Sequence, residues 1–340
     1  MMARITQCMA CLLAVALSAS AVAGQVAANN SQPVIDVHIH ALNVADFGPG
    51  PAVCSDNRSI QWNGWDQRKP FDLGNAGTCG AASWPAPRDD AALLRQTLAA
   101  FTRHNIVSAV TAGPAENVEK WRSAAPSRII PAASFFADGH DSAGRPKMRD
   151  IAELRQLVKE RRIAVFAEIA QQYRGLLPSD PLLEPYFALA EELDIPVGIH
   201  MGEGPPGGAN VEGYSRYRVA LGNPLLLEDV LVRHPRMRVY VMHFGSPFVD
   251  DMIALMFSYP QVYVDVAQNN WGFPREHFHS QLKRLVDAGF SRRIMFGSDQ
   301  MIWPQTIGLA IKTINEAPFL TEQQKRDILY NNAARFLRLK

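Results

Sequence analysis

The chain has 340 residues, with 34 Lys or Arg against 33 Asp or Glu, a formal charge of +1 and 47% hydrophobic residues. So even a balance leaves no electrostatic footprint for nucleic acid or an anionic membrane surface. The length allows two average domains or one large barrel.

Residues 1–23 read as an export leader, with Arg4 as a short basic start, Cys8 to Leu17 as an apolar stretch and Ala21-Val22-Ala23 as a small-residue cleavage signal. The apolar stretch is shorter than the ~20 residues a membrane span needs. The expectation is a soluble periplasmic or secreted protein cleaved near Ala23, with a single domain over 24–340. Loss of Arg4 takes the formal charge from +1 to 0. Cys54 and Cys79 are then the remaining cysteines. An oxidising compartment lets them pair, closing a loop of roughly 25 residues and stabilising by about 3 kcal/mol in the chain-entropy model; the alternative is two free thiols.

The first strand is led by Pro33-Val34-Ile35 and carries Asp36-Val37-His38-Ile39-His40. Alternation in a strand puts Asp36, His38 and His40 on one side and Ile35, Val37 and Ile39 on the other. Nine histidines in 340 residues produce about 0.2 His-x-His pairs by chance, so the pair needs company before it signals a metal. A second pair, His277-Phe278-His279, follows Pro274 and opens a helical pattern; it reads as a solvated helix face.

Residues 41–88 lack periodicity and are rich in Gly, Pro, Asn, Asp and Trp, a long excursion of the kind that carries function. A regular alternation follows. A helical stretch beginning at Asp89-Asp90 and running to Phe101 precedes a strand Ile106 to Thr111, Ala115 to Ala124 precedes Ile129 to Phe135, and Arg149 to Arg161 precedes Ile163 to Ile169. Leu182 to Leu193 precedes Ile195 to His200, Leu225 to Arg233 precedes Met237 to His243, Pro247 to Phe257 precedes Val262 to Asp265, and His277 to Ala288 precedes Ile294 to Gly297. Thr321 with Gln324 fits a capping box in the closing helices. Eight strands with intervening helices point to a parallel α/β barrel. An open doubly wound sheet lacks its Gly-x-Gly-x-x-Gly signature.

A parallel barrel gathers the carboxyl ends of its strands on one face. Those ends carry His38 and His40, Glu168, His200, His243 and Asp299. Singly, each has an ordinary reading: a strand-end cap for His200, a turn cap for Asp299, a buried ion pair for Glu168. Jointly they would leave several buried polar groups uncompensated unless a divalent metal satisfies them. Mixed imidazole and carboxylate donors suit Zn, the first expectation, or Mn or another transition metal better than Mg or Ca. His38, His40, His200 and Asp299 would hold it, leaving His243 as general base or oxyanion partner. Asp36 is expected to orient the pair rather than to bind.

Five blocks, Asp36-Val37-His38-Ile39-His40, Gly198-Ile199-His200-Met201-Gly202-Glu203, Val241-Met242-His243-Phe244-Gly245, Ile294-Met295-Phe296-Gly297-Ser298-Asp299 and Asn331-Asn332-Ala333-Ala334-Arg335, resemble the amidohydrolase-related family. This is the branch of the metal-dependent amidohydrolase superfamily that includes metal-dependent decarboxylases. The resemblance implies a distorted TIM (β/α)8 barrel with a mononuclear centre. It matches His38 and His40 to first-strand ligands, His200 to the fifth-strand ligand, Asp299 to a ligand or proton acceptor, and His243 to the sixth-strand His that activates water. No carboxylated Lys stands at the fourth strand, where Glu168 is found, and since Glu168 is itself a candidate ligand that could bridge a pair, one metal or two is left open.

Connections 41–88, 201–223 and 266–276 should roof the site. Arg216 or Arg218 could pair with a substrate carboxylate, or be surface groups. Trp62, Trp65, Trp84, Trp271 and Trp303 could line a pocket for a small organic acid, lactone or amide, or pack loops onto the barrel. The leading expectation is hydrolysis of a carbonyl in an amide, lactone or ester by metal-activated water, with Asp299 moving the proton and His243 steadying the oxyanion. Non-oxidative decarboxylation of an aromatic or unsaturated acid is the alternative, and a metal-binding protein without turnover a third. The partner is a small-molecule substrate, and since family members often associate, a homo-oligomer is among the expectations.

Overall fold

The computed structural model describes residues 32–80, 82–142 and 144–339; the expected leader and its cleavage point near Ala23 lie outside the described residues. Eight parallel strands follow one another in chain order around a single sheet. They are β1 (Val34–His40), β2 (Ile106–Ala112), β3 (Ile129–Ala133), β4 (Val165–Ile169), β5 (Val197–His200), β6 (Val239–Met242), β7 (Val262–Asp265) and β8 (Ile294–Met295). Their runs are buried on both faces, as strands are when helices cover a sheet. The first and last strands meet through single backbone bonds: the Val37 N–H donates to the Phe296 carbonyl at 3.0 Å, and the Asp299 N–H to the His38 carbonyl at 2.8 Å. The result is a nearly closed TIM barrel. No helix among the described residues is long and apolar enough to cross a membrane.

Two apolar clusters fill it. One joins Ile35, Val37, Val110, Val165, Tyr240 and Met295 from the strands with Ala333 and Phe336 of the C-terminal helix. It is the barrel interior, closed at the amino ends of the strands. The other, with Val34, Ile39, Leu93 and Phe101, packs the helices around the outside. Gly198 is required in this interior, since a Cβ there would lie 2.5 Å from Tyr240 Cζ.

Strict alternation does not hold along β1. Asp36 pairs with Ala109 and Ile39 with Thr111, so β1 spends one residue more than β2 between these points. That bulge reverses the parity of the strand. Ile35 and Val37 therefore face the interior while Ile39 faces the helices, and Asp36 does not share a side with His38 and His40. The Asp36 carboxylate fills the bulge, with Oδ1 accepting the His38 N–H at 3.0 Å and the Ser298 N–H at 3.0 Å.

Some expected boundaries move for local reasons. β6 stops at Met242 because His243 and Phe244 take φ of 58° and 38°, which a strand cannot continue. β8 is short because the Phe296 N–H turns to the Ile328 carbonyl. The helix Arg275–Asp287 corrects the reading of His277 and His279: His277 is exposed, but His279 is buried with Nε2 2.9 Å from the Thr313 carbonyl. The capping box at Thr321 and Gln324 is present.

The excursion after β1 contains two antiparallel ribbons, Ala52–Cys54 with Ser83–Pro85 and Ile60–Trp62 with Gly77–Cys79. Cys54 and Cys79 are bonded to each other and so join the two ribbons. Buried Asn57 fastens the excursion to the connection after β7, donating from Nδ2 to the Asn270 carbonyl at 3.0 Å while its own carbonyl accepts the Arg275 N–H at 2.7 Å.

Candidate metal centre

His38 and His40 stand at the end of β1, beyond the bulge, with their Nε2 atoms 3.2 Å apart. His40 Nε2 lies 3.1 Å from Asp299 Oδ1 and 3.3 Å from Glu168 Oε2. His38 Nε2 lies 3.6 Å from the same Glu168 oxygen and 3.7 Å from Asp299 Oδ1. The other oxygen of Glu168 faces His243 Nε2 at 3.4 Å and His200 Nε2 at 3.7 Å. The six residues foreseen at the strand ends thus share one centre. Their ligand atoms fall into three groups: His38, His40 and Glu168; His38, His243 and Asp299; and Glu168, His200 and His243. His200 keeps company with Glu168 and His243 rather than with the first-strand pair.

Backbone devices hold these groups. His243 (φ 58°) and Asp299 (φ 47°) both occupy the left-handed region, a local strain typical of functional sites. Gly202, with φ 97°, lets the connection after β5 pass directly beneath Ser246, whose carbonyl oxygen would lie 2.1 Å from a Cβ at this position.

Asp265, at the end of β7, is the residue the sequence reading passed over. Its Oδ2 lies 3.1 Å from His38 Nδ1, and its Oδ1 accepts the backbone N–H groups of His243 at 2.8 Å and Ala267 at 3.0 Å. It terminates an apolar strand just as the foreseen residues do, and that position was its available signal. Asp265, not Asp36, orients the His38 ring, whereas Asp36 works on the backbone. Tyr173, in the connection after β4, was also missed: its Oη lies 3.1 Å from His200 Nε2, and its ring packs on Tyr214 and Tyr217. No spacing in the sequence announces it.

Partners fix the tautomers. A carboxylate and a carbonyl only accept, so His38 carries its proton on Nδ1 toward Asp265, and His243 carries its proton on Nδ1 toward the Ala267 carbonyl at 3.1 Å. Neutral, both rings present an Nε2 lone pair to the centre. Burial would push His40 down, but the Asp299 and Glu168 carboxylates beside its Nε2 raise it to about 9. His38 is raised as well, against its burial, by Asp299 and Asp265. Burial and the neighbouring His243 push His200 down to about 3. Burial acts to raise Glu168, yet the imidazoles of His243, His38 and His40 beside it hold it well below the usual carboxylate range. Burial lifts Asp36 to about 7.

The donor set fits a divalent metal. Two imidazoles on one tetrahedral ion, each at about 2.0–2.1 Å, sit about 3.3 Å apart, and His38 and His40 are 3.2 Å apart at Nε2. Asp299 Oδ1 and His200 Nδ1 are buried without a hydrogen bond, and the mixture of nitrogen and carboxylate donors suits a transition metal.

The other candidates stand elsewhere. Arg216 and Arg218 are exposed; Arg218 Nη1 donates to the carbonyls of Ser215 and Tyr217, and Arg216 packs beside Gly175. Trp303 is buried against Phe47, Trp62 packs on Phe273, Trp65 packs on Phe71, and Trp271 donates to the Ser298 carbonyl. Trp84 is half-buried against the outer core. The aromatic groups beside the histidines are tyrosines.

The family description "Amidohydrolase" matches residues 35–339. No curated protein sequence matches the chain. Among solved structures, an amidohydrolase II is similar at 18% identity with a TM-score of 0.57, over 90% of this chain and 99% of that one. A probable 2-pyrone-4,6-dicarboxylic acid hydrolase from Acinetobacter baumannii, with citric acid bound, is similar at 15% identity and 0.55, over 90% and 99%. A 2,6-dihydroxybenzoate decarboxylase complexed with 2,6-dihydroxybenzoate is similar at 16% and 0.50, over 71% and 87%. At these identities the likeness is one of fold. The family match spans nearly the whole described chain, including every residue of the centre, and the chain belongs to the amidohydrolase family.

Proposed function

We propose that this protein is a metal-dependent hydrolase acting on the carbonyl group of a small amide, lactone or ester. The observation that carries the reading is the convergence of His38, His40 and Asp299 on one point, with Asp299 Oδ1 buried and lacking a hydrogen bond. These three would hold the metal, with Glu168 beside them. When bound, it supplies a Lewis acid that polarises a carbonyl and lowers the pKa of water toward ~7. Asp299 is the proton-moving group, because its carboxylate faces the centre on a backbone fixed by the His38 carbonyl. Asp265 keeps His38 in its Nδ1–H form, so that its Nε2 stays available. The Tyr173 hydroxyl, beside His200, is placed to donate to a substrate oxygen.

The test is a panel of lactones, amides, esters and aromatic acids, offered to protein loaded with Zn2+ or Mn2+ and followed for both hydrolysis products and carbon dioxide. Hydrolysis is expected, with Asp299→Asn reducing kcat by about 10²-fold or more. Carbon dioxide release without hydrolysis would make the protein a decarboxylase. Loaded protein inert toward the whole panel would make it a binding protein.

A further inference from the structure

The second ribbon of the excursion reaches the centre through one residue. The loop 63–76, which joins the strands Ile60–Trp62 and Gly77–Cys79, carries Phe71. Trp65 of the same loop backs Phe71 edge-on, with ring centroids 5.5 Å apart. The base of the ribbon is fixed: Trp62 packs on Phe273 of the connection after β7, Asn57 is bonded to Asn270, and Cys79 is bonded to Cys54.

Phe71 seats on Gly207, in the connection after β5. A Cβ at Gly207 would lie 2.2 Å from Phe71 Cζ and 2.5 Å from Cε2, so the ring rests on bare backbone. Three residues earlier the same strap meets the tyrosines of the centre. A Cβ at Gly204 would lie 2.9 Å from Tyr173 Oη and 3.0 Å from Tyr217 Cε2, and the Gly204 N–H donates to Tyr217 Oη at 2.7 Å. Tyr173 Oη in turn stands 3.1 Å from His200 Nε2. The strap Gly204–Gly208 is otherwise bonded locally, as in the Gly208 N–H to the Pro205 carbonyl at 2.8 Å. A segment with few bonds to the rest of the fold opens at low cost unless packing holds it, and here the packing is Phe71.

The geometry points to Phe71 as a specificity-determining residue: seated on Gly207, it holds the strap Gly204–Gly208 down on Tyr173 and limits the bulk a substrate carries beside His200. The inference rests on the hydrolase reading above and deepens it, since it names compact carbonyl compounds, without long chains, as the substrates.

The experiment compares full-length, Mn2+-loaded wild type and Phe71→Ala on phenyl acetate, phenyl hexanoate and 4-hexylphenyl acetate, which lengthen the acyl and the leaving side in turn. Hydrogen exchange of the segment 203–210 is followed by mass spectrometry on the same samples. Wild type is expected to favour phenyl acetate. In Phe71→Ala the kcat/KM of at least one long ester relative to phenyl acetate is expected to rise by about tenfold or more, chiefly through KM. The segment 203–210 is expected to exchange about tenfold or more faster, with β5 and β6 at wild-type rates. Gly207→Ala should reproduce both effects, because its Cβ displaces the ring, and the double variant should go no further than either single one. Phe71→Leu keeps an apolar group in the seat and should restore most of the discrimination. Unchanged exchange in folded Phe71→Ala would overturn the inference whatever the activity. Faster exchange with unchanged ester preference would also overturn it, leaving Phe71 as a structural contact. Loaded wild type inert toward all three esters and the wider panel would instead overturn the hydrolase reading, and with it the role in specificity.

Discussion

His40 shows how the centre behaves when no cation is present. Its pKa of about 9, against an ordinary 6.5, means that the folded metal-free protein keeps a proton there at neutral pH. The associated stabilisation is complete below pH 6.5 and is lost as pH rises through about 9. The melting temperature of the metal-free protein is therefore expected to fall between those limits, and metal loading is expected to flatten that slope. Binding a metal must also expel the proton. Calorimetric Mn2+ titrations at pH 7 in two buffers of different ionisation enthalpy should report release of about one proton or more per ion, with affinity weakening as pH is lowered. A heat of binding independent of the buffer would contradict this. At this scale the sequence was legible where chemistry and strand position coincide, as at His38, His40, His200 and Asp299. Asp265 shows the limit. The same strand-end position held it, but an isolated Asp after Val262-Tyr263-Val264 resembles any strand terminus until His38 Nδ1 is found 3.1 Å away.

The element that departs furthest from expectation is the excursion 41–88. Its strands are three residues long, too short for alternation to show in composition, so ribbons read as an aperiodic loop. The cysteines were legible because pairing depends on compartment and spacing rather than on periodicity. Their bond closes a 25-residue separation and clamps both ribbons. Replacing both, Cys54→Ala with Cys79→Ala, is expected to cost up to about 3 kcal/mol in urea denaturation under non-reducing conditions. It should also open the segment between them to proteolysis before the barrel unfolds. A double variant with unchanged midpoint and unchanged cleavage pattern would show that the excursion is held by Asn57 and packing alone. The helix Arg275–Asp287 teaches a related lesson. Its His pair was read as one surface feature, yet residues two apart on a helix diverge, and His279 turned inward to the Thr313 carbonyl.

The barrel as a whole was legible because strand and helix alternate with sustained burial, and chain order is sheet order. Less legible was how it closes. Alternation along β1 assigned Asp36 to the ligand face, while the bulge puts it at the seam, and a bulge leaves no mark in a single sequence. There Asp36 Oδ1 accepts from His38 on the first strand and from Ser298 just after the last. The same carboxylate thus fixes both ends of the ring and the backbone of the residues that flank the centre, His38 and Asp299. Asp36→Ala leaves two buried N–H groups without an acceptor, at about 1–3 kcal/mol each, so a loss of about 2–6 kcal/mol is expected in urea denaturation. Asp36→Asn keeps an acceptor oxygen. Since burial already lifts the carboxyl to about 7, the neutral amide should cost less than about 1 kcal/mol near neutral pH. Mn2+ affinity should follow the same order, falling in Asp36→Ala because His38 is released, and persisting in Asp36→Asn. An alanine variant as stable as wild type would show that the seam is closed by the two backbone bonds alone. Equal losses in both variants would mean that negative charge, rather than an accepting oxygen, holds the first strand to the last.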